Sequence, residues 1–211
     1  VNISLDSLRP ATFARLTRGG RLADTLAGLR AAQAAGLGPV KLNMVVLRGV
    51  NAAETGSLLR FALQTGCQLR FLELMPLGEA AAQFDREYVP AAEIRAGLEP
   101  LGYQWQPLPW DPTETSRDFL VRDAEGRETV CGFIAPTSQP FCDGCRRLRL
   151  TSDGWLHGCL ARSSRQDLKG LLRLDDRAAS RQLHALMATA LSARQGTRFD
   201  HTLASMAEVG G

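Results

Sequence analysis

Lysine is nearly absent from this chain. Of 25 basic side chains only Lys41 and Lys169 are lysines, and the rest are arginines. The bias reads as genome composition, and it draws attention to the two lysines that remain. Long hydrophobic runs are absent too. No apolar stretch approaches the roughly 20 residues that a membrane helix needs, so no membrane partner is expected. No excess of one charge sign is present: the net charge is +3 over 211 residues. That is too little for the basic footprint of a nucleic-acid binder. Cysteine is scarce and odd in number, five in all. Three of the five are clustered, while Cys67 and Cys131 stand alone in apolar surroundings and read as small buried hydrophobes. A secreted disulfide framework is therefore excluded, and a reducing, cytoplasmic setting is expected. No signal peptide opens the chain. The opening Val1-Asn2-Ile3-Ser4-Leu5 already reads as a strand and lacks a methionine, so the chain is expected to be the C-terminal part of a longer polypeptide.

What is present is a hydrophobic fraction of 45%, enough for a core in one large domain or two small ones. The first third alternates strand and helix. Val1 to Leu5 alternates apolar and polar. A helix starts near Pro10, and Leu22, Leu26 and Leu29 line a longer one that stops near Gly36. Val40 to Leu47 (VKLNMVVL) is a near-continuous apolar run of the kind found in buried parallel strands. Ala52 to Thr65 is the next helix, ended by Gly66, and Gln68 to Met75 is a third strand. Strands joined by helical crossovers imply a parallel sheet, hence an α/β fold. After Met75 the rhythm breaks. A short helix is expected over Ala91 to Leu101. A hairpin turns at Ala124-Glu125-Gly126, between Phe119-Leu120-Val121 and Val130 to Ile134. A last helix runs from about Asp175 to Arg194.

Between the hairpin and that helix lies PFCDGCRRLRLTSDGWLHGC. Cys142, Cys145 and Cys159 stand in C-x2-C-x13-C spacing, and a Ser152-Asp153-Gly154 turn folds the third back towards the first two. Soft thiolates select zinc or iron–sulfur. Zinc would want a fourth ligand, which His157 could supply. An iron–sulfur cube on three cysteines would leave one iron open. Spacing alone leaves the two level, with unrelated free thiols a poor third. Arg147 and Arg149 alternate along a strand and share a face. They could clamp phosphate or carboxylate, or be a solvated basic strand.

Five stretches carry a family resemblance: VNISLDSL, VKLNMVVLRGVN, LRFLELMPLG, PFCDGCRRLRLTSDGWLHGCL and the closing Gly-Gly. In this order, over nearly the whole chain, they resemble the molybdenum cofactor biosynthesis protein A family. These are the GTP 3′,8-cyclases of the radical S-adenosylmethionine superfamily. The resemblance implies that residues 1–78 are the last strand–helix units of a partial (βα)6 TIM-type barrel. Residues 79–211 would be an α+β module carrying an auxiliary [4Fe-4S] cluster on Cys142, Cys145 and Cys159. Ser4 and Met75 match positions that contact S-adenosylmethionine. Lys41, Arg70, Arg147 and Arg149 match positions that bind GTP. Gly210 and Gly211 match a C-terminal pair that reaches the active site. From the residues alone, Lys41 could equally snorkel to solvent, and Arg70 could pair internally with Glu73. Ser4, Met75 and the terminal glycines would be unremarkable.

The family's first cluster uses a C-x3-C-x2-C motif that this chain does not contain, so the fragment is expected to be inactive alone. In the family, S-adenosylmethionine yields a 5′-deoxyadenosyl radical that takes the 3′ hydrogen of GTP. The ribose radical attacks C8 to give (8S)-3′,8-cyclo-7,8-dihydroguanosine 5′-triphosphate. A reductant and the next enzyme, cyclic pyranopterin monophosphate synthase, are implied partners, and a homodimer is left open. The alternatives are a zinc-stabilised, non-catalytic binding module, or another radical S-adenosylmethionine enzyme with an auxiliary cluster.

Overall fold

The computed structural model describes residues 1–162 and 164–192. The chain forms a mixed α/β structure that packs as two compact units. One comprises residues 1–74 and 85–139, the other residues 75–84 and the described residues from 140 onwards. Among the described residues no helix is long and apolar enough to cross a membrane.

The first unit is built on a six-stranded sheet. Its strands are β1 (Asn2–Ser4), β2 (Lys41–Val46), β3 (Gln68–Glu73), β4 (Gln104–Pro107), β5 (Arg117–Arg122) and β6 (Glu128–Ile134). Their order is β1-β2-β3-β6-β5-β4. The first four in that order run parallel, and β6, β5 and β4 are antiparallel. The helices α1 (Pro10–Leu16), α2 (Leu22–Ala34) and α3 (Thr55–Thr65) join the parallel strands. Gly66 ends α3 in the left-handed region, φ 67°, which a glycine adopts without the strain of a Cβ. A short turn α4 (Phe84–Glu87) and α5 (Ala91–Leu98) follow.

The expected crossover units are thus present, but the hairpin is not separate from them. Its second strand, β6, inserts beside β3 and extends the same sheet. The apolar run of β2 also differs from expectation, because it is not buried on both faces. Both β2 and β3 alternate half-buried and buried positions along their whole length. Leu42, Met44, Leu69 and Phe71 turn one face to the core, where Leu58, Leu59 and Ala62 of α3 and Ile94 and Leu98 of α5 are also buried. Burial of such side chains contributes about 1.5–3 kcal/mol each. The opposite face carries Lys41, Asn43, Val45, Gln68, Arg70 and Leu72, all half-buried.

The second unit holds a small antiparallel sheet of β7 (Arg149–Leu150), β8 (Trp155–His157) and β9 (Arg165–Asp167). The helix α6 (Asp176–Ser192) packs on β8 and β9. Its approach to β8 is close: a Cβ on Gly158 would overlap the Ala190 carbonyl.

Candidate functional site

In the first unit, strand register builds one polar row. Ser4 pairs with Asn43, Asn43 with Arg70, and Arg70 with Gly132. Residues paired across strands point to the same side of a sheet, so Ser4, Asn43 and Arg70 share the face away from the helices. Lys41 lies two residues before Asn43 on the same strand, hence on the same face. Neither Lys41 nor Arg70 is ion-paired among the described residues. The internal Arg70–Glu73 pair does not form. Three positions apart on a strand, the two side chains point to opposite faces, and Glu73 is spent on other donors. The row also contains a residue that the sequence reading passed over. Asn43 Oδ1 is buried and lacks a hydrogen-bond partner among the described residues. The K-x-N alternation within VKLNMVV was the available signal.

Beyond Arg70 the row reaches Gly132, where a Cβ would overlap Asp118 Oδ1 and Ser116 Oγ. Asp118 is the register partner of Gly132 on β5, and the Ser116 hydroxyl donates to its carboxylate.

In the second unit Cys142, Cys145 and Cys159 are each half-buried. The Cys145 amide donates to the Cys142 carbonyl at 3.2 Å, closing the turn of the C-x2-C element. Burial pushes the Cys142 thiol up, and the charges of Cys159 and Cys145 add to the rise. Donors already point at two of the three sulfurs: Arg147 Nη2 lies 3.4 Å from Cys145 Sγ, and the Ala161 amide lies 3.3 Å from Cys159 Sγ. Arg147 also lies over the Phe141 ring, 4.9 Å from its centroid. Arg149 is pulled below the ordinary guanidinium value, first by burial and then by Arg147. Arg147 itself precedes β7, so the two arginines do not share a strand as expected. The proximity of both to the thiols comes from the turn instead.

Among the described residues, no group of three or more His, Cys, Asp or Glu side chains is arranged to hold a metal ion. The donor set itself fits a thiolate-bound cluster: three soft sulfurs come from one turn and one hairpin, with N–H donors aimed at two of them. Zinc would need His157 as a fourth ligand. His157 is 6% exposed and pairs with Arg149 across β7 and β8. Burial holds its imidazole below the ordinary value, and Arg165 adds to the fall. None of the cysteines contributes to that shift.

Met75 is half-buried just beyond β3, and its carbonyl accepts from the Leu77 amide at 2.8 Å. Gly210 and Gly211 lie outside the described residues.

The family description Molybdenum Cofactor Synthesis C matches residues 67–199, more than half of the chain. The chain belongs to this family. The match takes in β3, the hairpin, the thiol segment and α6. Curated relatives extend the likeness towards the N-terminus. The GTP 3′,8-cyclase of Moorella thermoacetica is 43% identical over 91% of this chain. That of Pelotomaculum thermopropionicum is 40% identical over 91%. That of Alkaliphilus metalliredigens is 34% identical over 100%. The chain spans 58% of the length of the first two relatives and 64% of the third. In this Molybdenum Cofactor Synthesis C chain, the residues at issue thus fall into two sets, Ser4, Lys41, Asn43 and Arg70 in one unit and the thiols with Arg147 and Arg149 in the other.

Proposed function

We propose that this chain supplies the GTP-binding and auxiliary-cluster part of a GTP 3′,8-cyclase of molybdenum cofactor biosynthesis. The observation that carries the reading is the thiol segment: three half-buried cysteines with Arg147 donating to one of them and Arg149 beside it, in a chain 43% identical to a protein named for that activity. Residues 1–78 act as the last units of a partial barrel; of 79–211, strands β4, β5 and β6 extend that sheet and the segment after Gln139 carries the cluster. Barrel sites gather at the C-terminal ends of strands, in keeping with Ser4 ending β1 and Met75 following β3.

Cys142, Cys145 and Cys159 would hold a [4Fe-4S] cluster, which would supply iron to bind the purine. Arg147 and Arg149 bind the anionic triphosphate, as do Lys41 and Arg70. Guanidinium groups suit this role because their donors match phosphate oxygens in pairs. Ser4 and Met75 contact S-adenosylmethionine, and Gly210 and Gly211 serve the active site as the matching pair does in the family. This chain orients its ligands and neutralises their charge. The radical-forming step belongs to residues outside these 211. A reductant and a downstream synthase complete the reaction sequence, in a reducing cytoplasm that keeps the thiols available.

Equilibrium dialysis of GTP against the anaerobically iron-loaded chain tests the reading. Charge-assisted hydrogen bonds contribute about 1.5–3 kcal/mol each, so Arg147→Ala and Arg149→Ala each weaken binding by roughly 10- to 100-fold. The loaded chain is brown. Colourless protein holding one zinc, or GTP affinity indifferent to both substitutions, overturns the proposal. The first result favours a zinc-stabilised module, and the second a related enzyme with another anionic substrate.

A further inference from the structure

Glu73 ends β3 on the helix-packed face and is 3% exposed. A carboxylate buried this deeply must be met by donors. Its Oε1 accepts from the Ala91 amide at 2.8 Å and from the Ser138 hydroxyl. Its Oε2 accepts from the amides of Thr137 at 3.0 Å and Ser138 at 2.9 Å. The Tyr88 phenol lies beside Glu73 and Ser138 and is held in its protonated form by burial and by the Glu73 charge.

These groups come from two distant stretches, 88–91 and 137–138, and their placement is specific. The chain passes between its two compact units at three points: after Leu74, after Phe84 and after Gln139. Glu73 immediately precedes the first crossing. Tyr88 closely follows the second, and Ser138 closely precedes the third. One carboxylate therefore ties together, inside the first unit, the roots of all three connections.

We propose that Glu73 is a positioning residue for the ligand-binding segments that leave the sheet beside it. The segment leaving β3 carries Met75, two residues on. The segment leaving β6 passes Ser138 and then carries Cys142, Cys145, Arg147 and Arg149. The clamp fixes, within the first unit, where both segments begin. This inference rests on the reading above, in which those residues hold nucleotide and cofactor.

Glu73→Gln keeps the side-chain shape but sets an NH2 group against an amide donor. Ser138→Ala and Tyr88→Phe each remove one hydroxyl and leave the sheet strands untouched. In the 211-residue chain loaded with iron anaerobically, three quantities are read: hydrogen exchange at single amides, GTP affinity by dialysis, and iron per chain. For Glu73→Gln, protection falls together at Ala91, Thr137 and Ser138, while Leu69 and Phe71 keep theirs. Iron per chain stays constant, and the dissociation constant for GTP rises about tenfold, as the loss of a positioning contact should give. Ser138→Ala and Tyr88→Phe move the same quantities less, and they decide the matter if Glu73→Gln does not fold. Unchanged GTP affinity despite lost protection reduces Glu73 to a fold-stabilising role and overturns the proposal. Protection lost at only one of the three amides overturns it too. If GTP does not bind the unsubstituted chain, or ignores Arg147→Ala, the nucleotide reading fails separately. The clamp then stands or falls on the electron paramagnetic resonance of the reduced cluster, whose lines Glu73→Gln must broaden.

Discussion

Tyr88 carries the strongest pH signature among the groups around Glu73. Burial pushes its phenol up to about 12, and the neighbouring Glu73 carboxylate adds to the rise. Both effects disfavour the phenolate, so the folded chain keeps this proton where the unfolded chain has lost it. The sign of the linkage follows. The contribution is fully present below the ordinary value of 10.0 and is lost as pH rises towards about 12. Stability therefore falls across that window. Tyr88→Phe removes this part of the fall, so its unfolding curve is flatter there than that of the unsubstituted chain. Chemical denaturation at several alkaline pH values measures the slope, and the ultraviolet absorbance of the phenolate follows the titration directly. The chain has only one other tyrosine, Tyr103, so the two titrations can be separated with the Phe variant. Parallel slopes in the two proteins would mean that Tyr88 is not held against Glu73.

Among the elements, the closest approach is between the end of β8 and α6. A Cβ on Gly158 would overlap the carbonyl oxygen and carbon of Ala190. These are backbone atoms, so relief requires the helix or the strand end to shift. Overpacking of this kind costs typically 1–3 kcal/mol, and Gly158→Ala is expected at or above the top of that range. The shift also displaces Cys159, the next residue, so iron content per chain falls along with the unfolding temperature. An unchanged melting curve would show that α6 lies further from β8. Nothing in WLHGC announces this glycine, because its partner lies in a helix far along the chain. The same reasoning separates what the sequence reveals from what it conceals. Strands β2 and β3 and helices α2 and α3 are legible because their periodicities are local, and Gly66 marks its own cap. The open face of β2 was readable in principle from Lys41 and Asn43, but its valines and methionine masked the alternation. The pairing of β6 with β3 joins residues far apart in sequence and follows from tertiary packing alone. Strand β9, three polar residues long, has no period to read. The thiol trio was legible from spacing. Its link to Arg147 runs through a turn and not through a strand, and only the fold supplies that.

At the scale of the whole molecule, the described residues of the two units differ in how much apolar surface they bury. The first has a continuous apolar core running from Leu5 through Phe71 to Phe133 and Ala135. Aromatic contacts extend it, with Phe71 5.8 Å from Phe133 and Trp105 6.0 Å from Phe119 between ring centroids. In the described part of the second unit, Leu77, Leu156 and Ala190 are the buried hydrophobics, while Leu150 and Leu172 are exposed. The described part of that unit buries little apolar surface, and under the proposed function a metal held by the folded thiolates would add stability there. Removing iron from the loaded chain with a strong chelator therefore acts unequally. Calorimetry of the loaded chain is expected to resolve two transitions. Chelation lowers the one assigned to the second unit, in proportion to the ligand affinity that is lost. The transition of the first unit stays within a few degrees. Hydrogen exchange assigns the transitions: the amides of β8 and α6 lose protection on chelation, and those of β2 and β3 do not. A single transition that moves as a whole would mean that the units unfold cooperatively, with the cluster stabilising both.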